Sequence, residues 1–143
     1  MGEYSFLEHT ADVLFEARGK TFEEALEGAA SALFNTVADT SKIRPTKKIK
    51  ISEKAESLED LVVFTLSGLL AGMDSEELFF SRLKLGKLAR GKRDGKYSIS
   101  GVASGAPADP TIGRTVVKAV TYHLLRVEKQ PDGIWKIRVL LDI

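Results

Sequence analysis

The sequence predicts an α+β fold, two helices packed on one face of a largely antiparallel β-sheet. Two observations carry this. Two stretches open with a hydroxyl cap and an acidic first turn, then repeat apolar residues at helical spacing. The other segments read as short strands punctuated by Gly, Pro and Asp-Gly, and most of them lie in the second half. The order is β-α-β-α followed by a meander.

Val13 to Ala17 read as the body of the first strand, which ends at Arg18-Gly19. Thr21-Phe22-Glu23-Glu24 is a capping box: Thr21 accepts from the Glu24 N–H and Glu24 reaches back. Phe22, Ala25, Leu26, Ala29, Ala30, Leu33, Phe34 and Val37 then form one helical face. Arg44-Pro45-Thr46-Lys47-Lys48 leads into a short strand in which Ile49 and Ile51 alternate with polar residues. Ser57-Leu58-Glu59-Asp60 opens the second helix, with Leu58, Leu61, Val62, Leu66, Leu69, Leu70 and Met73 as its stripe. Gly68 inside it costs about 1 kcal/mol relative to Ala. Leu78 to Leu85, Lys87 to Arg90 and Tyr97 to Ala103 are strands separated by Gly86 and Asp94-Gly95. After a loop over 105–110, Thr115 to Glu128 reads as a long strand, Pro131-Asp132-Gly133 as a turn, and Trp135 to Ile143 as the closing strand.

With 143 residues, one domain over 1–143 is expected. Apolar content of 43% and charged content of 29% is the balance of a soluble globular protein. A net charge of +1 creates no global field toward nucleic acid or membrane. The absence of cysteine excludes disulfide frameworks, thiolate zinc sites and cysteine nucleophiles, and fits a cytoplasmic protein. No basic-then-apolar leader opens the sequence, and no apolar run approaches the roughly 20 residues of a membrane span.

Charge sits oddly at both ends. Glu8, His9, Thr10 and Asp12 interrupt an oily opening, and Asp142 stands between Leu141 and Ile143 with no tail beyond. Charges among aliphatics are costly unless paired or bound to a cation. Asp12, Asp142 and the Ile143 carboxylate are hard oxygen donors, which favour calcium, magnesium or manganese over zinc. The plainer alternative is a frayed end with a solvated Asp142. His9 and His123 are the only histidines, open to a metal site or a carboxylate dyad, or to a structural, hydrogen-bonded role. In a regular strand Thr121 and His123 share a face opposite Tyr122. From Arg82 to Arg93 basic and apolar residues alternate, as on an RNA-facing ribbon or, more commonly, a half-buried hairpin with a solvated face. No aromatic residue interleaves there to stack on bases. The sequence has no Gly-rich phosphate loop, HExxH motif or nucleophile elbow.

Phe6-Leu7-Glu8-His9-Thr10-Ala11-Asp12 resembles the signature opening of the archease family. Gly19 to Ala25 and Ala32-Leu33-Phe34 resemble its first helix, and Val117 to His123 its second signature. Trp135 and the terminal Asp142-Ile143 resemble its closing strand. The resemblance runs end to end and implies the archease-like α+β fold. It also implies a protein cofactor rather than a free-standing enzyme. Archeases assist the tRNA-splicing RNA ligase, which joins RNA ends with GTP and manganese, by speeding formation of its covalent guanylate and supporting multiple turnover. The family's metal site, usually calcium, carries over to Asp12, Asp142 and the carboxylate of Ile143, with tRNA touched indirectly or weakly. On this reading the first and last strands lie side by side and share one cation, which His9 and His123 support through hydrogen bonds.

The sequence departs from the family where many members carry an acidic residue midway along the second helix, because Ser67-Gly68 stands there. Val116 replaces a frequent Glu, and the loop Ala106 to Gly113 lacks a frequent histidine. Asp39, at the end of the first helix, is a further candidate carboxylate. Two other function classes compete: a metal-dependent hydrolase using Asp12, Asp142 and a histidine, and a small RNA-binding or chaperone module acting through residues 82–93.

Overall fold

The computed structural model describes residues 2–8 and 11–143. In chain order these form β1 (Glu3–Leu7), β2 (Val13–Gly19), α1 (Phe22–Val37), β3 (Lys47–Ala55), α2 (Leu58–Ser75), β4 (Leu78–Leu85), β5 (Ala89–Arg90), β6 (Tyr97–Pro107), β7 (Ala119–Lys129) and β8 (Trp135–Asp142). The class is α+β, as the sequence predicts. Its strands divide between two sheets, ordered β1-β2-β8-β7 and β3-β6-β4, with β5 joining β6 on the edge opposite β3. Every strand pairing is antiparallel.

Both helices touch both sheets: α1 packs on β2 and β4, and α2 on β3 and β7. That position explains why α1 is buried beyond its predicted stripe, at Gly28, Ala32 and Thr36 as well. A Cβ on Gly28 would lie 3.0 Å from the Glu3 carbonyl oxygen, so glycine lets the β1 backbone cross the helix closely. Phe15, Phe34, Phe80, Leu26, Leu33 and Leu66 are among the largest buried side chains of a core shared by helices and sheets. Phe34 and Phe80 meet edge-to-face with ring centroids 5.6 Å apart.

Both helix starts are capped as the sequence predicts. Thr21 Oγ1 accepts from the Glu24 N–H at 3.1 Å, and Ser57 Oγ from the Asp60 N–H at 3.0 Å. Glu24 reaches back one residue further than a standard box, to the Lys20 N–H at 3.1 Å.

Four elements differ from the pattern reading. The residues before Val13 include a separate strand, β1, so Glu8 and Asp12 belong to the β1–β2 connection and not to a strand interior. Strand β3 extends to nine residues, and β6 continues through the expected loop to Pro107. Strand β7 begins at Ala119, not Thr115, because the chain before it serves α1 instead of a sheet. There the Arg114 and Thr115 N–H groups donate to the Val37 and Thr36 carbonyls at 2.8 and 3.2 Å. Helix α1 has no basic residue in its last turn, and Arg114 supplies the missing charge from a distance. Its guanidinium donates to the Asn35 carbonyl at 3.1 Å and to Asn35 Oδ1 at 3.0 Å.

Candidate metal centre

Strands β2 and β8 are central neighbours in the first sheet, and their register runs from Gly19 opposite Trp135 to Val13 opposite Leu141. Asp12 and Asp142 come next on each side. The opening and closing carboxylates therefore stand at the same end of two adjacent strands. Asp12 is half-buried, and Asp142 and Ile143 are exposed. The Asp142 backbone is fixed from its other flank, where it pairs with Ala119 and its carbonyl accepts the Lys118 N–H at 2.7 Å. The sequence puts charge here because the strand ends emerge from the core: Leu14 and Leu141 are buried, and the next residues outward are not.

Among the described residues no three His, Cys, Asp or Glu side chains gather as a metal site. The implied donor set has two carboxylate side chains, and its third member is the main-chain carboxylate of Ile143. Oxygen-only donors and no sulfur suit a hard divalent cation in chemical type. Those three residues would hold it.

His123 does not take the supporting role expected of it. Alternation fails in β7: the register jumps from Thr121 opposite Leu140 to Arg126 opposite Arg138, so 122–125 face Val139 alone. Tyr122, His123 and Leu124 are all exposed on this bulge, so Thr121 and His123 do not form the shared face that a regular strand gives. Leu124 has φ of 60°, in the left-handed region, which turns the chain outward. Three contacts hold the bulge. Thr121 Oγ1 donates to the Leu140 carbonyl at 3.0 Å, Tyr122 OH to Asp60 Oδ1 at 2.7 Å, and Arg138 Nε to the Leu124 carbonyl at 3.1 Å. Among the described residues the His123 side chain makes no hydrogen bond or ion pair. His9 lies outside the described residues.

The bond to Asp60 is the main reason that the Tyr122 hydroxyl titrates above its ordinary value, with desolvation and the Asp60 charge adding to it. Asp60 and Arg138 carry no signal in the sequence that would mark them as supports, because each acts across a gap that only the fold closes. Asp39 is committed elsewhere. It caps the short turn Thr40–Lys42, with Oδ1 accepting from Ser41 Oγ at 2.6 Å and from the Ser41 N–H at 3.2 Å. Arg114 stands 3.7 Å away. The Ser41 hydroxyl is the first cause holding the Asp39 carboxyl below its ordinary value.

Beside the Asp142 end lies a groove of about 950 Å³ between the second half of α2, the start of β4 and residues 113–120. Asp74, Glu77, Arg114 and Lys118 put charge on its walls, and Val116 projects from it 82% exposed. Ser67 also lines it. At Gly68 the bare helix face admits a carboxylate from another element: a Cβ there would lie 2.8 Å from Glu53 Oε2.

The archease protein family matches residues 4–143. The archease of Methanosarcina acetivorans is 39% identical over 143 residues, covering 99% of this chain and 96% of that protein. The archease of Pyrococcus furiosus is 38% identical over 145 residues and is covered end to end, as is this chain. Among solved structures, the solution structure of Methanobacterium thermoautotrophicum protein 1598 has a TM-score of 0.81 at 31% identity, covering 98% of both chains. The crystal structure of an archease from Thermotoga maritima, named a possible chaperone, shares the fold with a TM-score of 0.62 at 24% identity, covering 96% of this chain and 94% of that one. The chain belongs to the archease family.

Proposed function

We propose that this chain binds one divalent cation through Asp12, Asp142 and the Ile143 carboxylate, and that it activates the tRNA-splicing RNA ligase without catalysing a step itself. Calcium is the leading cation, with manganese and magnesium as alternatives. The observation that supports the reading is the β2–β8 register, which ends at Val13–Leu141, with Asp12 just before β2 and Asp142 closing β8. A bound cation supplies charge neutralisation, so carboxylates that otherwise repel can stand together.

The chain's own residues do the rest. The β8 backbone, hydrogen-bonded on both flanks, fixes where Asp142 stands. Lys118 N–H holds its carbonyl, and the braced bulge of β7 keeps neighbouring exposed side chains in one arrangement. Such a rigid, charged end is suited to docking against a partner enzyme and favouring the conformation that accepts guanylate from GTP, which is a chaperone's action on a folded client. The protein works in the cytoplasm, beside the ligase. The test is a guanylylation assay: ligase, GTP and manganese, with and without substoichiometric amounts of this protein. The proposal expects faster covalent guanylate and repeated RNA joining per ligase. An unchanged rate across a full titration ends it.

A further inference from the structure

The second sheet has one face against the helices and one face open, and the two differ sharply in chemistry. Inward go Ile49, Ile51, Leu83, Ile99 and Ala103, all packed in or against the core. Outward on β3 go Lys48, Lys50, Ser52 and Lys54, each exposed. The register extends this face across β6 and β4. Lys48 stands opposite Ser104, and Ser104 opposite Arg82; Lys50 stands opposite Val102, and Val102 opposite Lys84. Ser52 faces Ser100, and Lys54 faces Ser98. The result is a grid of cations and hydroxyls that contains no carboxylate. Lys54 reaches Asp94 at 2.9 Å, whereas among the described residues Lys48, Lys50, Arg82 and Lys84 form no ion pair. The whole chain carries only +1, so this is charge gathered on one face, not a basic composition.

We infer that the open face of the β3-β6-β4 sheet binds the phosphate–ribose backbone of a folded RNA stem. The sheet sets the backbone positions of its cations about 6.6–6.8 Å apart along a strand and, because β6 lies between β3 and β4, about 9.6 Å apart across it. Lysine and arginine neutralise phosphates, and serine hydroxyls both donate and accept, so they reach phosphate oxygens and 2′-hydroxyls. The four rows from Lys48 to Lys54 carry no aromatic side chain, and Phe79, opposite Ala106 one row beyond, is partly buried, so the grid offers no open platform for unstacked bases and a base-paired stem fits better than a single strand. Its one apolar member, Val102, gives no wedge for insertion into a lipid surface. Arg90 does not belong to the grid, because it stacks over the Tyr97 ring at 4.9 Å and donates to the Gly95 carbonyl. The basic stretch 82–93 thus contributes Arg82 and Lys84, and most of the surface comes from β3 and β6. This surface is independent of the metal reading.

The test is fluorescence anisotropy with a labelled RNA hairpin, titrated at several salt concentrations. Lys48→Ser, Lys50→Ser and Lys84→Ser are combined in one variant. The control combines Lys20→Ser, Arg126→Ser and Lys129→Ser, which removes the same charge from outside this face. Thermal melts verify folding of both, and the single variant Arg82→Ser gives an independent reading. The face variant is expected to lose at least about tenfold in affinity and to reduce the slope of log affinity against log salt by about 2–3, with Arg82→Ser reducing it by about 1. The control is expected to stay within about twofold of the parent. The inference is overturned if the parent protein binds no hairpin, if the control loses as much as the face variant, or if anionic phospholipid vesicles bind more tightly than RNA.

Discussion

Replacing Gly68 with alanine should stabilise the protein, although the new methyl group crowds a carboxylate. Gly68 lies on the exposed side of α2, in the helix interior, where alanine is favoured over glycine by about 1 kcal/mol. Against this, the Cβ would lie 2.8 Å from Glu53 Oε2, too close for contact. The atom that must move is the far end of a flexible side chain, and a modest rotamer shift costs about 0.5 kcal/mol. Moving it is also partly favourable, because desolvation raises the Glu53 pKa and a swing outward returns the carboxylate to water. The net expectation is a gain of about 0.5–1 kcal/mol, or about 2–4 °C in melting temperature. Calorimetry at neutral pH measures it. The same contact sets a pH dependence. With its folded pKa raised, Glu53 keeps a proton in the native state that the unfolded chain has already released. Stability therefore falls as pH rises from the ordinary glutamate value through the raised one, and the loss is complete above it. Glu53→Gln should lack that fall and melt higher than the parent at neutral pH, and Gly68→Ala should show a smaller fall. A Gly68→Ala protein melting lower than the parent, or a Glu53→Gln protein with the parent's pH profile, would refute the reasoning.

Arg114→Ala removes both bonds to Asn35 and the missing positive charge at the α1 C-terminus, from a side chain about half exposed. A loss of about 1 kcal/mol is expected by denaturant unfolding. Asp39 should stay below its ordinary pKa in that variant, because Ser41 is the larger cause, and an NMR titration returning it to the ordinary value would contradict this. Asp60→Asn should bring the Tyr122 hydroxyl back toward its ordinary pKa, read as tyrosinate absorbance at alkaline pH, and no shift would show that Asp60 is not the cause. Asp12→Asn and Asp142→Asn should each abolish the metal-dependent rise in melting temperature, a stabilisation of about 2.7 kcal/mol at a hundredfold excess over Kd in the parent. Metal-free Asp142→Asn should be at least as stable as the parent, and a metal effect retained in either variant would remove that aspartate from the donor set.

The helices were legible because capping and periodicity are local: Thr21, Ser57 and both stripes act within a few residues of themselves. The two-sheet division was not, because an alternating strand does not encode which partner it meets. The β7 bulge escaped for a related reason. Thr121 to Val127 carries ordinary strand residues, and the bulge exists through Arg138 and Asp60, which are remote in sequence. Gly68 read as a cost to the helix, and only the fold shows Glu53 against it. At the candidate site, the oddity of Asp12 and Asp142 was visible as charge beside aliphatics, and their proximity required the β2–β8 register. The residues alone left a shared cation and a solvated end both open, and only the family resemblance favoured the cation.

The central claim is that a cation held by Asp12, Asp142 and the Ile143 carboxylate makes this protein an activator of the ligase. Appending two residues after Ile143 tests it most directly, because a peptide bond replaces the terminal negative charge with a neutral amide while the β8 pairing stays in place. The parent and extended proteins are compared in the guanylylation assay and in melts with and without calcium. The account predicts that the extended protein folds, loses the calcium-dependent rise in melting temperature and no longer accelerates guanylylation. An extended protein that accelerates guanylylation as well as the parent, with the same calcium-dependent rise, would contradict it.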